Sequence, residues 1–271
     1  MKKLVALLFL LSTYYCKAQK NIDGLINAER NFAAHSVQKG TKDAFLKFLD
    51  SNGIVFEQGK AVNGKLIWAK REDRRSVLNW FPEFAEISLS NDFGYTTGPW
   101  ELRGGATKDS VIARGQYTTV WHIDIDGEWK FLVDLGVGNS PKRMALSLTK
   151  ITAKKLQGTT ETTDLLEAEQ KFIEAFKKNK GQAYRTHLSD NSILTRNGLY
   201  YPATSGKAPA DRINDTPGDL RFSILGYGIS PGRDLGYVYG NTLINNRPEN
   251  YLRIWRREKS GWKIALEVVR Y

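Results

Sequence analysis

The chain has 271 residues, with 40 Lys and Arg against 29 Asp and Glu, a formal net charge of +11 and a single cysteine, Cys16. That length suits two domains of ordinary size, each able to bury a core. One cysteine excludes a disulfide framework and a thiolate metal site within the chain.

The N-terminus has the pattern of an export leader. Lys2 and Lys3 precede the apolar run Leu4 to Leu11, and Cys16-Lys17-Ala18-Gln19 places small residues before a cut after Ala18. Residues 1–18 are therefore expected to be a signal peptide, and the mature protein to be periplasmic or secreted. The apolar run is too short to span a bilayer, and no later stretch is long enough. Lipid attachment at Cys16 is the alternative; bulky Tyr15 stands where that processing needs a small residue.

In chain order, the first element is an amphipathic helix with Ile22, Leu25, Ile26, Phe32, Ala33 and Val37 at helical spacing. A shorter helix follows over Thr41 to Leu49, then a strand near Ile54–Phe56 and a third helix over Arg71–Trp80. Strands are expected near Glu86–Asn91, Gly94–Trp100, Val111–Ile123 and Trp129–Leu135, with Asp126-Gly127 a strong turn signal. Gly138–Thr163 reads as a linker. The order then begins again: a helix capped by Thr163 or Asp164 with Leu165, Leu166, Phe172, Ile173 and Phe176 on one face, and a short helix over Gln182 to Leu188. A strand near Ser192–Thr195 and a helix near Lys207–Ile213 follow. The last strands are expected near Leu220–Ile229, Leu235–Leu243, Tyr251–Arg257 and Trp262–Arg270.

The residues recur as well as the elements. Ala28, Glu29 and Phe32 return as Ala168, Glu169 and Phe172; Ala44, Leu49, Ile54 and Gly59 as Ala183, Leu188, Ile193 and Gly198. Asp92, Gly94, Tyr95 and Gly98 return as Asp234, Gly236, Tyr237 and Gly240, and Tyr117 and Trp121 as Tyr251 and Trp255. The turn Gly127-Glu128-Trp129-Lys130 returns as Gly261-Trp262-Lys263. A two-copy repeat with a period of roughly 140 residues is too long for a solenoid and implies two similar domains, here 19–140 and 163–271 joined by a linker over 141–162. Helices followed by meandering strands is an α+β pattern, helices packed on one face of a curved antiparallel sheet.

This order, with Asp-x-Gly-Tyr-x-x-Gly on a middle strand and Tyr-x-x-x-Trp before the last turn, resembles the SnoaL-like branch of the nuclear transport factor 2-like superfamily, in two tandem copies. The resemblance covers nearly all of the chain after residue 18, and its motifs are mainly structural positions. It implies two cone-shaped domains, each enclosing a pocket between sheet and helices. It implies no single activity: such domains include isomerases, cyclases and dehydratases, and also binding modules without chemistry.

Glu29 lies inside the apolar stripe of its helix, between Leu25, Ile26, Phe32 and Ala33, and Glu169 occupies the same place in the second copy. A carboxyl there is costly unless it meets a partner or a wet cavity. It either locks helix to sheet or serves as a cavity acid or base. Pairing outward from the turns puts Tyr117, Thr119, Trp121, Leu132 and Asp134 on one side of the last hairpin, and Val120, His122, Phe131 and Val133 on the other. In the second copy Tyr251, Arg253, Trp255, Ala265 and Glu267 oppose Leu252, Ile254, Ile264, Leu266 and Val268, with Arg253 across from Glu267. Relatives commonly dimerise through the aromatic side, so the two copies are expected to pack there as an internal pseudo-dimer. The alternative is that this side lines a pocket, with Tyr117, Trp121, Tyr251 and Trp255 as ligand contacts and Asp134 and Glu267 as bases.

His35, His122 and His187 share no metal-ligand spacing, so no metal is expected, and no phosphate loop or serine nucleophile motif points to a cofactor. The basic runs Lys70, Arg71, Arg74, Arg75 and Arg253, Arg256, Arg257 read as solvated faces, or as a site for an acidic ligand; export argues against nucleic acid. The expected protein is an exported monomer or weak homo-oligomer binding a small apolar or acidic molecule. The alternatives are an interaction or scaffold module, and a cofactor-free acid–base isomerase, cyclase or dehydratase.

Overall fold

A computed structural model describes residues 19–138, 148–152, 164–198, 203–204 and 210–271. The expected leader and most of the expected linker lie outside them.

The first half opens with α1 (Ile22–Lys39), whose N-terminus is capped by the Asn21 side chain accepting from Gly24 N at 2.8 Å. It stops at Gly40, which takes φ 98, a conformation that suits glycine. Next come α2 (Thr41–Phe48), β1 (Leu49–Glu57), β2 (Lys60–Asn63) and α3 (Gly64–Lys70). The strands β3 (Val77–Trp80), β4 (Phe84–Ile87), β5 (Phe93–Arg103), β6 (Val111–Ile123), β7 (Trp129–Gly138) and β8 (Thr149–Thr152) complete this sheet. The second half contains α4 (Leu165–Lys178), α5 (Lys180–His187), β9 (Leu188–Arg196), β10 (Ala203–Thr204), α6 (Ala210–Asp215), β11 (Arg221–Ile229), β12 (Leu235–Ile244), β13 (Arg247–Glu258) and β14 (Gly261–Val269).

Two sheets result. The first runs β2-β1-β7-β6-β5-β4-β8, with β3 also pairing β5; the second runs β10-β9-β14-β13-β12-β11. Six strands of the first sheet and all six of the second thus follow one order, and in each the strand after the second helix runs parallel to the last long strand. The layers are helices, sheet, sheet, helices. On one side α1 and α2 bury Leu25, Phe32 and Phe45 against Trp121 and Phe131. On the other, α4 and α5 bury Leu165, Phe172, Phe176 and Tyr184 against Tyr251, Trp255 and Ile264.

Three expectations need correction. The third helix of the first half is Gly64–Lys70, started by Asn63 accepting from Leu66 N at 3.0 Å. The end of the segment expected to be helical, Val77–Trp80, is instead a strand registered on Arg103 to Trp100. Its pairing with β5 outweighs local propensity. The expected linker contributes β8, which pairs parallel with β4 and covers an edge of the first sheet.

The third correction concerns the sheet faces. Val120, Val133, Leu135 and Tyr95 of the first sheet share one core cluster with Leu252, Ile254, Leu266 and Val268 of the second, so the sheets meet through their aliphatic sides. Tyr117, Trp121, Tyr251 and Trp255 turn the other way, towards the helices. The helices carry the aromatic stripes and carboxylates those rings need as partners. The other side is mainly aliphatic, with Tyr95 and Glu86 satisfied by each other and by Arg256, and suits sheet-on-sheet packing. A bulge in each last hairpin also shifts the expected register: Trp121 opposes Phe131, and Trp255 opposes Ile264. Phe131 and Ile264 therefore join the helix-facing core. Between the sheets, Phe93 stacks on Tyr237 with ring centroids 6.1 Å apart, and Arg256 forms a two-pronged ion pair with Glu86.

Candidate functional site

The stripe position of Glu29 on α1 aims its carboxyl at the centre of the first sheet, where it is wholly buried. Trp80 Nε1 donates to Oε1 at 2.5 Å, while Thr96 Oγ1 and Trp121 Nε1 donate to Oε2 at 2.5 and 2.9 Å. All three donors are uncharged. Burial therefore dominates and raises the Glu29 carboxyl to about 7, although each donor pulls it down. Both oxygens are engaged, so the group is a clamp joining α1 to β3, β5 and β6.

Beside this clamp is a cavity of about 760 Å³, within the size range of small-molecule sites. Its walls include Phe32, Trp68, Leu78, Trp80, Trp100 and Tyr117. The Tyr117 hydroxyl is buried without a hydrogen-bond partner. Asp134, on β7, also lines the cavity and accepts from Thr119 Oγ1 at 2.7 Å. Part of its surface is open, yet protein surrounds it, as befits a side chain on a cavity wall. Enclosure raises its carboxyl to about 6 against the opposing pull of Thr119 and Arg270. Arg270 itself comes from the end of the second half. At the rim, Arg71 lies over the Trp68 ring, 3.9 Å from its centroid, and pairs with Glu57.

The second half fills the equivalent space differently. Where β6 has Thr119, β13 has Arg253, which donates to Glu169 on α4 and, at 2.5 Å from Nε, to Glu267 on β14. Trp255 Nε1 donates to Glu169 at 2.9 Å. Arg196, in the place of the rim residue Glu57, points inward and reaches Glu267 at 2.5 Å, Tyr184 at 3.0 Å and Thr216 at 2.9 Å. The guanidinium of Arg253 is packed over the rings of Phe172, Phe222 and Tyr251. Burial pushes the Glu267 carboxyl up, but Arg196 and Arg253 together outweigh it, so its pKa falls below the ordinary value. For Glu169 burial prevails over Arg253, and its pKa rises.

Of the eight residues singled out from sequence, the structure places Tyr117 and Asp134 on the cavity. Trp121 lies behind it as a donor to Glu29. Glu169, Glu267, Tyr251 and Trp255 belong to the interior of the second half, where the expected pairing of Arg253 with Glu267 is present. His122 bonds Asp50 at 2.9 Å and His35 bonds Asp43 at 2.6 Å. Among the described residues no group of three His, Cys, Asp or Glu gathers as metal ligands. Sequence reasoning missed Trp80, Thr96, Trp100 and Arg270. Trp80 falls at the end of the segment expected to be helical, Arg71–Trp80. No local pattern places Arg270 near Asp134, because the two residues belong to different halves.

The fold and site thus define an α+β protein with one large aromatic-walled cavity beneath the helices of its first half. No protein-family model matches the chain, and no curated protein matches it. Solved structures similar to it include proteins described as NTF2-like or as having a cystatin-like fold. An NTF2-like protein of unknown function from Shewanella oneidensis MR-1 is 20% identical over 42% of this chain and 96% of that one, with a TM-score of 0.34. An NTF2-like protein from Cytophaga hutchinsonii is 16% identical over 43% and 96%, with a TM-score of 0.32. A cystatin-like fold protein from Burkholderia xenovorans LB400 is 15% identical over 39% and 87%, also with a TM-score of 0.32.

Proposed function

We propose that this chain is an exported tandem SnoaL-like protein whose first half binds a small, largely apolar organic molecule. The cavity of about 760 Å³, walled by Trp68, Trp80, Trp100 and Tyr117, is the observation that carries the reading. Large flat rings supply contact area at low entropic cost, and the unpartnered Tyr117 hydroxyl and Asp134 supply orientation. The second half acts as scaffold, its interior occupied by the Arg253 and Arg196 network. Recurring residues and the common strand order support tandem duplication. Titration of the full chain with N-phenyl-1-naphthylamine, read by energy transfer from tryptophan, tests the reading. Saturable binding that Leu78→Trp abolishes is the expected result; no binding, or binding unaffected by that obstruction, overturns it.

A second reading, acid–base chemistry without a cofactor, is favoured by Asp134, a cavity carboxyl with a pKa of about 6 within reach of physiological pH. It predicts that bound ketones exchange α-protons with solvent and that Asp134→Asn stops the exchange. Export is tested by N-terminal sequencing of the protein from its native envelope, which should begin at Gln19; an acyl group on Cys16 would overturn cleavage after Ala18.

A further inference from the structure

We propose that the molecule held in this cavity is an aromatic monoanion and that Arg270, supplied by the second half, receives its charged group. This deepens the binding reading above and rests on it.

Arg270 follows β14 directly and crosses to the first half. Its Nε donates to Gly136 O at 2.7 Å, and its Nη2 donates to the same carbonyl. Both bonds converge on one oxygen, so Nη1 is left without a hydrogen-bond partner among the described residues. Arg270 also lines the cavity; the carboxyls acting on it are Glu249 and Asp134, and it makes no ion pair within 4.0 Å with either. Arg270 is half-buried on the cavity wall, so its unused N–H edge can meet an acceptor held in the cavity. A carboxylate or sulfonate is the acceptor whose geometry fits a guanidinium edge best.

The rest of the lining agrees. Lys39, Lys42, Arg71 and Arg74 stand around the cavity against Glu72 and Asp73, so the surroundings of the entrance carry excess positive charge. Arg71 is already committed to Glu57. That leaves Arg270 as the inward cation, enough for one negative charge and not for two. The indole walls set the other end of the ligand: flat rings stack on flat rings. Without the second half, the first has an aromatic cavity but no inner cation, so the face-to-face packing of the sheets completes the site.

The test uses two probes with the same ring system, 8-anilinonaphthalene-1-sulfonate and uncharged N-phenyl-1-naphthylamine, titrated into the full chain at low salt. The sulfonate is expected to bind about tenfold more tightly. Arg270→Met keeps the side-chain stem and should remove about that factor for the sulfonate, leaving the uncharged probe within about twofold; Arg270→Lys should restore part of it. Equal affinity of the two probes for the wild type overturns the anion assignment and leaves the cavity reading intact. Equal loss of both probes in a folded Arg270→Met reduces Arg270 to a wall. Failure of both probes to bind the wild type sinks the cavity reading and this proposal together. Should Arg270→Met not fold, Arg270→Gln takes its place in the same two titrations: selective loss of the sulfonate is expected, and an unchanged preference for it overturns the proposal.

Discussion

Arg253 lies between two buried carboxylates, Glu169 on α4 and Glu267 on β14, and donates to both. Its counterpart on β6, Thr119, donates to Asp134 and leaves Glu29 with uncharged donors alone. Two positions, Thr119 against Arg253 and Glu57 against Arg196, thus distinguish the interior held by ion pairs from the one beside the cavity.

Arg253→Thr, which gives the second half the residue of the first, should destabilise the protein by about 3–5 kcal/mol at neutral pH. It leaves Glu169 buried without a cation and Glu267 with Arg196 alone. Denaturant unfolding checks this, and the loss should be smaller near pH 4, where Glu169 can take up a proton.

Glu29 should make stability fall as pH rises. Its folded pKa of about 7 exceeds the ordinary 4.5, so between those values the native state holds a proton that the unfolded chain has lost. The contribution is greatest below about pH 4.5, declines through the window and is constant above about 7, a total on the order of 3 kcal/mol. Glu29→Gln should flatten that part of the stability profile. It should also cost about 1–3 kcal/mol at pH 5, because an amide cannot accept from Trp80, Thr96 and Trp121 together. An unchanged slope between pH 5 and 7 would falsify the assignment.

Binding of an anionic probe should strengthen as pH falls through about 6, where Asp134 gains its proton and ceases to repel the ligand. The groups acting on that carboxyl include Thr119 on β6, Glu29 on α1 and Arg270 beyond β14. Asp134→Asn should bind the probe tightly at every pH from 5 to 8, in fluorescence titrations against the wild type.

The pair Arg256–Glu86 joins the halves, with Tyr95 also donating to Glu86 at 2.7 Å. Arg256→Ala should cost about 3 kcal/mol, since Glu86 is then buried without its cation. A double-mutant cycle with Glu86→Gln should show coupling above about 1 kcal/mol; additive losses would mean that the pair does not tie the sheets together.

The sequence by itself determined the α+β class, most strands to within a few residues, and the inward position of Glu29 and Glu169. Those properties follow from local periodicity: a residue three or four positions from Leu25, Ile26, Phe32 and Ala33 must share their helix face. Turn residues such as Asp126-Gly127 marked the last hairpin, and counting outward from the turns matched Thr119 to Asp134 and Arg253 to Glu267. Counting failed between each turn and the bulges at Leu132 and Ala265, where Trp121 and Trp255 pair one residue off, because an extra residue in one strand reverses which side the next residue faces. Tertiary structure alone decided which face meets which layer. An aromatic face and an aliphatic face are both apolar, and the choice between helix and partner sheet depends on what those elements present in return. Trp121 and Trp255 turn towards α1 and α4 because Glu29 and Glu169 accept their indole N–H groups there. For the same reason the cavity was not legible along the chain. Its walls come from α1, α2, α3, β3, β5, β6 and β7, and its inner cation, Arg270, is brought across from the other half by sheet packing.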